Sequence, residues 1–296
     1  MSFDIKRIRK SSRRVRKFLR KNSKRPSSDA IHDLRTSTRS LETTLLTLGL
    51  DSNRKVKRLL RGLGEVRKRA GKVRDMDVLT ANALTVKRDG EQDCLVQLLE
   101  HLGADRNKYA KKLRRVIEAG TPQLRRNLKR NSKRVEKILY QAVNKPDTSD
   151  ATPATMARAI KIASELNSPQ RLNRENLHPY RLKVKELRNV LQLSDRADDQ
   201  EFIEGLGDVK DAIGDWHDWE ELIAVAKDVL DHGASCKLTK QLNVISDDKY
   251  ENALSLTNRL RSTYLKTRPP KHGTHQVKTT LLSNPVLRAA SSIAER

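Results

Sequence analysis

Two segments of this chain, 146 residues apart, show the same order of apolar, histidine and basic positions. The first segment starts at Ile31 and the second at Leu177. In both, apolar residues recur at spacings of three and four, as they do on one face of an α-helix. The repeat therefore predicts that one helical unit occurs twice in the chain.

A second pair of similar segments supports this duplication. Residues 71–75 (GKVRD) are matched by residues 214–218 (GDWHD), at an offset of 143. Strand-type alternation of polar and apolar residues is hard to find, whereas helical periodicity predominates. We therefore predict an all-α protein made of two similar antiparallel helical bundles.

The expected organisation has four parts. They are a strongly basic first bundle over 1–143, a linker with Pro146 and Pro153 over 144–153, a second bundle over 154–266, and a loosely ordered tail over 267–296. Helices are expected at about 4–21, 27–48, 52–70, 75–86, 91–119, 121–143, 154–166, 177–193, 199–213, 216–232 and 234–266.

Positive charge is concentrated in the first half of the chain. The whole chain has 62 Lys and Arg against 37 Asp and Glu, a formal net charge of +25. Residues 1–143 contain 39 of these basic and 15 of these acidic residues, a net charge of +24, which leaves +1 for the remainder. Solubility would not require this asymmetry, so we predict a one-sided surface for a polyanion. Aromatic residues make up only 3%, which weakens a model in which nucleic-acid bases stack on them.

Cysteine content and hydropathy argue against several classes of protein. Cys94 and Cys236 are far apart and form no CxxC motif, which argues against a disulfide framework or a thiolate zinc site. No apolar run reaches the ~20 residues needed to cross a bilayer, and the basic N-terminus lacks the apolar core of a signal peptide. The expectation is a soluble cytoplasmic protein.

The repeated segments place their histidine and basic residues on one line of the helix, beside the apolar face. At about 100° per residue, these residues fall within an arc of roughly 80°. A third basic line is expected near the N-terminus. The first line has His32, Arg35 and Arg39, the second has His178, Arg181, Lys185 and Arg188, and the third has Arg9, Arg13, Arg16 and Arg20. We call these lines the basic stripes.

The two histidines are each expected in the first turn of a helix, with Pro179 favouring a start near Asn176. Unpaired N–H groups and the positive end of the helix dipole would favour a phosphate there. Arginine can bind phosphate oxygens in pairs, and a row of cations could follow a chain of phosphates. A single basic stripe is usually a solvated surface, but repetition of the stripe with its histidine favours a binding site.

The repeated element resembles that of the CHAD domain family (conserved histidine α-helical domain). The family pattern is an apolar residue, His, two residues, Arg, three residues and a basic cluster, and the resemblance covers about residues 4–266. Ser40, Glu42 and Glu186 stand where the family usually has basic residues. The resemblance implies two bundles related by pseudo-twofold symmetry, with basic residues lining a shared groove or pore. It also implies binding of inorganic polyphosphate and association with polyphosphate granules.

The predicted function is therefore polyphosphate binding without catalysis, metal or cofactor. All eleven residues of the three stripes are the predicted ligand-binding residues. Non-specific binding of nucleic acid by the basic first half is the principal alternative, and a polyphosphate-processing enzyme is a further one. Four aspartates could hold Mg²⁺, although helix caps and basic partners are favoured for them. They are Asp75, Asp77, Asp215 and Asp218.

Overall fold

The computed structural model describes residues 5–21, 24–47, 53–86, 92–144, 151–191, 200–231 and 236–265. Every regular element in these ranges is helical and no strand occurs among them, which confirms the all-α prediction. The helices are α1 (Ile5–Lys21), α2 (Ser28–Thr47), α3 (Arg54–Thr85), α4 (Gln92–Asn144), α5 (Ala151–Asn167), α6 (Arg174–Leu191), α7 (Gln200–Val229) and α8 (Lys237–Leu260), followed by a π-helical turn at Arg261–Leu265.

The described helices divide into two compact units. The N-terminal unit contains α1 to α4 and residues 224–239, and the C-terminal unit contains α5, α6, α7 as far as Ile223 and α8 from Lys240. The sequence places residues 224–239 in the second bundle, whereas their contacts group them with the N-terminal unit. The end of α7 belongs with α4, since Gln97 Nε2 donates to the Val229 carbonyl oxygen at 3.0 Å.

Each unit has its own narrow apolar core. In the N-terminal unit the predicted buried face of α2 is confirmed for Ile31, Leu34, Leu41 and Leu45, and Leu48 lies outside the described residues. In the C-terminal unit Leu177, Tyr180, Val184, Leu187 and Leu191 form the buried face of α6. Burying a side chain of this size stabilises the fold by about 1.5–3 kcal/mol. These cores hold the helices that carry the stripes.

Three helix breaks predicted from the sequence do not occur. Breaks were expected near 71, 120 and 214, where glycine or proline interrupts the pattern, but α3, α4 and α7 run through these positions. Buried residues on both sides of each expected break belong to one continuous apolar face, for example Ile117 and Leu124 of α4. Packing of that face outweighs the weak helix preference of glycine.

The linker ends earlier than the predicted residue 153, because α5 begins at Ala151. Pro153 therefore lies in the first turn of α5, where a helix tolerates proline. Residues 145–150 and the predicted tail at 267–296 lie outside the described residues. In the part of the chain that is described, no helix is long and apolar enough to cross a lipid bilayer.

Candidate functional site

The helices that carry the histidines begin with capped N-termini. Before α2, Ser27 Oγ accepts a hydrogen bond from the N–H of Ala30 at 3.3 Å. Before α6, Asn173 Oδ1 accepts from the N–H groups of Glu175 and Asn176 at 3.1 and 3.0 Å. The caps use N–H groups that would otherwise be available to an anion at the start of the helix.

His32 and His178 each lie five residues after the cap, in the second turn of the helix. The prediction that both lie in the first turn, with a start of α6 near Asn176, is therefore wrong. Pro179 is inside α6, which begins at Arg174 because Asn173 is the capping residue. With the first-turn position excluded, anion binding has to rest on the side chains of the basic stripes.

The basic stripes differ in their exposure to solvent. On α1 the whole stripe (Arg9, Arg13, Arg16 and Arg20) is exposed, and on α2 His32 and Arg39 are exposed while Arg35 is half-buried. On α6 the whole stripe (His178, Arg181, Lys185 and Arg188) is half-buried. The α6 stripe therefore differs from an ordinary solvated face.

Arg181 of α6 lies against α7 at Gly214. Its Nε donates to the Lys210 carbonyl oxygen at 2.9 Å, and a Cβ added to Gly214 would lie 2.9 Å from the Arg181 Cζ. Only a residue without Cβ lets the guanidinium approach so closely. The bond and the glycine together fix the cation at the contact between α6 and α7.

Arg35 of α2 has the corresponding position against α3. A Cβ added to Gly71 would lie 2.5 Å from Arg35 Nη1 and 3.8 Å from its Cζ. Gly71 and Gly214 both come from the second pair of repeated sequence segments. Their function here is to allow a close approach of an arginine, and the helix continues through both of them.

Seven residues further along each stripe, the two units differ in charge. Arg188 Nε donates to the Ile203 carbonyl oxygen at 3.2 Å, and a Cβ at Gly207 would lie 3.2 Å from that nitrogen. In the N-terminal unit Glu42 occupies this place, with its Oε1 3.6 Å from the Cβ position of Gly64. The sequence interpretation did not include Glu42 among the site residues.

The ring of His178 lies against that of a second histidine, His217 of α7, with 4.1 Å between ring centroids and 45° between the ring planes. His217 Nε2 lies 3.6 Å from Glu221 Oε1. The His178 Nδ1 atom is buried and has no hydrogen-bond partner among the described residues. Burial lowers the pKa of His178 below its ordinary value, nearby His217 and Arg181 lower it further, and Glu221 acts in the opposite direction.

Sequence reasoning missed His217, which lies between Trp216 and Trp219, two residues that the sequence indicates as core. Both tryptophans are indeed buried, but His217 is only half-buried. The second pair of repeated segments aligns His217 with Arg74, whose Nη1 donates to Ser28 Oγ at 2.9 Å. The basic residue Arg74 at the matched position was the sequence feature that could have indicated a site position for His217.

Basic partners are defined for Asp77 and Asp215 among the four aspartates considered for Mg²⁺. Asp77 Oδ1 accepts from Arg106 Nε at 2.5 Å, and Asp215 Oδ2 lies 2.8 Å from Lys249 Nζ. No group of three or more His, Cys, Asp or Glu suited to a metal ion occurs within the described ranges. The expectation of basic partners is confirmed for Asp77 and Asp215.

Ion pairs within the C-terminal unit are consistent with its small net charge. Lys183 pairs with Glu165 at 2.9 Å, and Arg174 pairs with Glu220 at 2.9 Å and with Asp247 at 2.5 Å. Acidic residues of this unit thus neutralise basic residues outside the α6 stripe.

Comparison with protein-family models identifies the family to which the chain belongs. No curated protein matches the chain. The family model of the CHAD domain matches residues 6–231, which is well over half of the chain and includes the stripes of α1, α2 and α6. The chain belongs to the CHAD domain family.

Proposed function

We propose that this chain binds inorganic polyphosphate through the basic stripes of α2 and α6, and that no bond is made or broken. One observation carries the proposal: in both units an arginine three residues after the histidine lies against a glycine of the next helix. Arg35 and Arg181 are thereby held in place yet remain partly exposed to solvent. Cations that are positioned in advance lose less conformational entropy when they bind an anion.

The family supports the choice of ligand, because CHAD domains are linked to polyphosphate binding. Each phosphate along such a chain carries negative charge, and guanidinium groups bind phosphate oxygens in pairs. In this proposal His32 and His178 donate hydrogen bonds to phosphate oxygens. Within the N-terminal unit Arg35 and Arg39 neutralise successive charges and the α1 stripe adds further cations. Within the C-terminal unit Arg181, Lys185 and Arg188 do the same.

Binding of nucleic acid by the basic first half is the alternative. Competition between labelled long-chain polyphosphate and unlabelled duplex DNA or RNA distinguishes the two. We expect unlabelled polyphosphate to displace the label at far lower phosphate concentration than nucleic acid does. Displacement by equimolar nucleic acid would contradict the proposal.

Catalysis on polyphosphate is a separate alternative, and phosphate release tests it directly. We expect no release from polyphosphate with Mg²⁺ or Mn²⁺ present. Release that disappears in Asp75→Ala or Asp218→Ala would instead establish a hydrolase.

The dependence of affinity on salt tests which residues make the contacts. Neutralising a phosphate releases counterions, so the slope of log affinity against log salt should fall by roughly one for each cation removed. We expect the double variant Arg35→Ala, Arg39→Ala to lose about two units of slope. The matched control is Arg115→Ala, Arg125→Ala, which removes two exposed arginines from α4. Equal slopes for both variants would mean that α2 provides only general charge.

A further inference from the structure

Glu42 lies on the basic stripe of α2. At about 100° per residue it is only roughly 20° from Arg35 around the helix axis, and it follows Arg39 by one turn. Its side chain is 14% exposed, and its Oε2 accepts a hydrogen bond from Arg67 Nε of α3 at 2.6 Å. A half-buried carboxylate therefore lies within a row of cations.

The C-terminal unit has a cation at the same place. Glu42 follows Arg35 by seven residues, as Arg188 follows Arg181, and each lies beside a glycine of the next helix. The units share the position and the close contact but differ in the sign of the charge. Packing alone does not require a carboxylate here, since the other unit accommodates an arginine.

The position of Glu42 has an electrostatic cost. Burial raises the pKa of Glu42, and this outweighs the lowering by Arg67 and Arg39. Its partner Arg67 is much more accessible, with 41% of the side chain exposed. A phosphate oxygen and a carboxylate oxygen make the same kind of charge-assisted bond to a guanidinium. Glu42 thus occupies the guanidinium of Arg67, which an approaching phosphate could otherwise bind.

We propose that Glu42 is an internal competitor for the ligand, which weakens binding by the N-terminal unit because it occupies Arg67 and repels phosphate. The inference rests on the proposed function and names the residue that sets the strength of its site. Removing the negative charge makes Arg67 of α3 available as an additional cation beside the α2 stripe. The excess positive charge of the N-terminal unit would then attract phosphate together with one more cation, the guanidinium of Arg67.

Affinity for long-chain polyphosphate, measured by fluorescence anisotropy over a series of salt concentrations, tests the inference. We expect Glu42→Gln to bind at least about threefold more tightly than wild type at low salt, with a slope steeper by about one. Glu42→Arg, which copies the residue at 188, should give a larger gain. Thermal unfolding of both variants shows whether they are folded.

Glu65→Gln is the matched control. Glu65 also accepts from an arginine Nε, that of Arg69 at 3.0 Å, but this pair is exposed and lies within α3 alone. It removes the same charge from the same unit. Equal affinities of Glu42→Gln and Glu65→Gln would overturn the inference.

A double-mutant cycle with Arg67→Gln tests the mechanism. If Glu42 acts by occupying Arg67, then Glu42→Gln should give a smaller gain in the Arg67→Gln background. An undiminished gain would contradict occupation of Arg67. If wild type binds and Glu42→Gln is unchanged, only the inference fails, whereas absence of binding by every variant overturns the proposed function as well.

Discussion

The guanidinium of Arg181 lies so close to the backbone of Gly214 that a Cβ there would be 2.9 Å from its Cζ and 3.0 Å from its Nε. The same Nε donates to the Lys210 carbonyl oxygen at 2.9 Å. The arginine is thus fixed by the helix that it touches. This contact gives the repeated order of the two sequence segments a structural meaning. The helix with the histidine carries the arginine, and the helix with the glycine leaves space for its guanidinium.

Replacing Gly214 by alanine should therefore disturb both stability and binding. The added Cβ meets Cζ and Nε of a guanidinium that is already hydrogen-bonded, so the side chain must move or the helices must separate. Gly71→Ala should have a smaller effect, because its Cβ meets chiefly the terminal Nη1 of Arg35. Urea unfolding and polyphosphate affinity of both variants check this order.

Gly103→Ala is the control for these two glycines. Gly103 lies inside α4, and a Cβ there would meet nothing within 4 Å. Alanine should stabilise the helix at that site by about 0.5–1 kcal/mol. Gly214→Ala with a similar gain in stability would show that Arg181 accommodates a side chain without difficulty.

The lowered pKa of His178 predicts a specific dependence on pH. Because the folded-state value lies below the ordinary 6.5, the unfolded chain binds more protons in the interval just below 6.5. His178 thus contributes stability that is present above pH 6.5 and is lost as the pH falls through its folded value. We expect His178→Gln to reduce this acid-side loss, measured by urea unfolding at a series of pH values.

Histidine NMR signals should separate the causes of that shift. Burial is the largest cause and His217 is the next, so His217→Gln should move the pKa of His178 only part of the way back towards 6.5. Bound polyphosphate should raise the same pKa, because it places negative charge beside the ring. A pKa of His178 that does not respond to ligand would indicate that this histidine has a structural role only.

The ion pair of Asp77 with Arg106 should contribute much to the stability of the N-terminal unit. The side chains are 7% and 22% exposed, and Arg106 Nη2 also donates to the Pro26 carbonyl oxygen at 2.8 Å. Asp77→Ala removes the carboxylate that balances the charge of the part-buried Arg106 guanidinium, so it should cost about 3 kcal/mol. The exposed pair of Asp105 with Lys108 is the control, and Asp105→Ala should cost less than about 1 kcal/mol. Similar costs for the two variants in urea unfolding would contradict this prediction.

Sequence periodicity was sufficient for the helical class, the buried faces and the basic stripes, because these follow from local spacing. It was insufficient at Gly71 and Gly214, since a glycine that ends a helix and a glycine that admits an arginine look the same in sequence. Only the positions of α2 against α3 and of α6 against α7 distinguish these two roles. His217 was missed for a similar reason: its contact with His178 depends on how the consecutive helices α6 and α7 pack against each other, which local spacing does not show.

The distance of 2.6 Å between Arg67 Nε and Glu42 Oε2 would suggest that this ion pair stabilises the fold. The raised pKa of Glu42 leads to the opposite prediction. In the interval just above the ordinary value of 4.5, the folded protein binds more protons than the unfolded chain, so ionisation of Glu42 costs stability as the pH rises through its folded value. Stability from protonated Glu42 is therefore present below 4.5 and absent at pH 7. We expect Glu42→Gln to be at least as stable as wild type at pH 7, and to lose this advantage as the pH falls below 4.5. The difference in unfolding temperature between Glu42→Gln and wild type is measured at pH 7 and at pH 4.5. If this difference is less favourable to the variant at pH 7 than at pH 4.5, the pair with Arg67 is kept for stability. The predicted result leaves competition with phosphate as the reason for a carboxylate at this position.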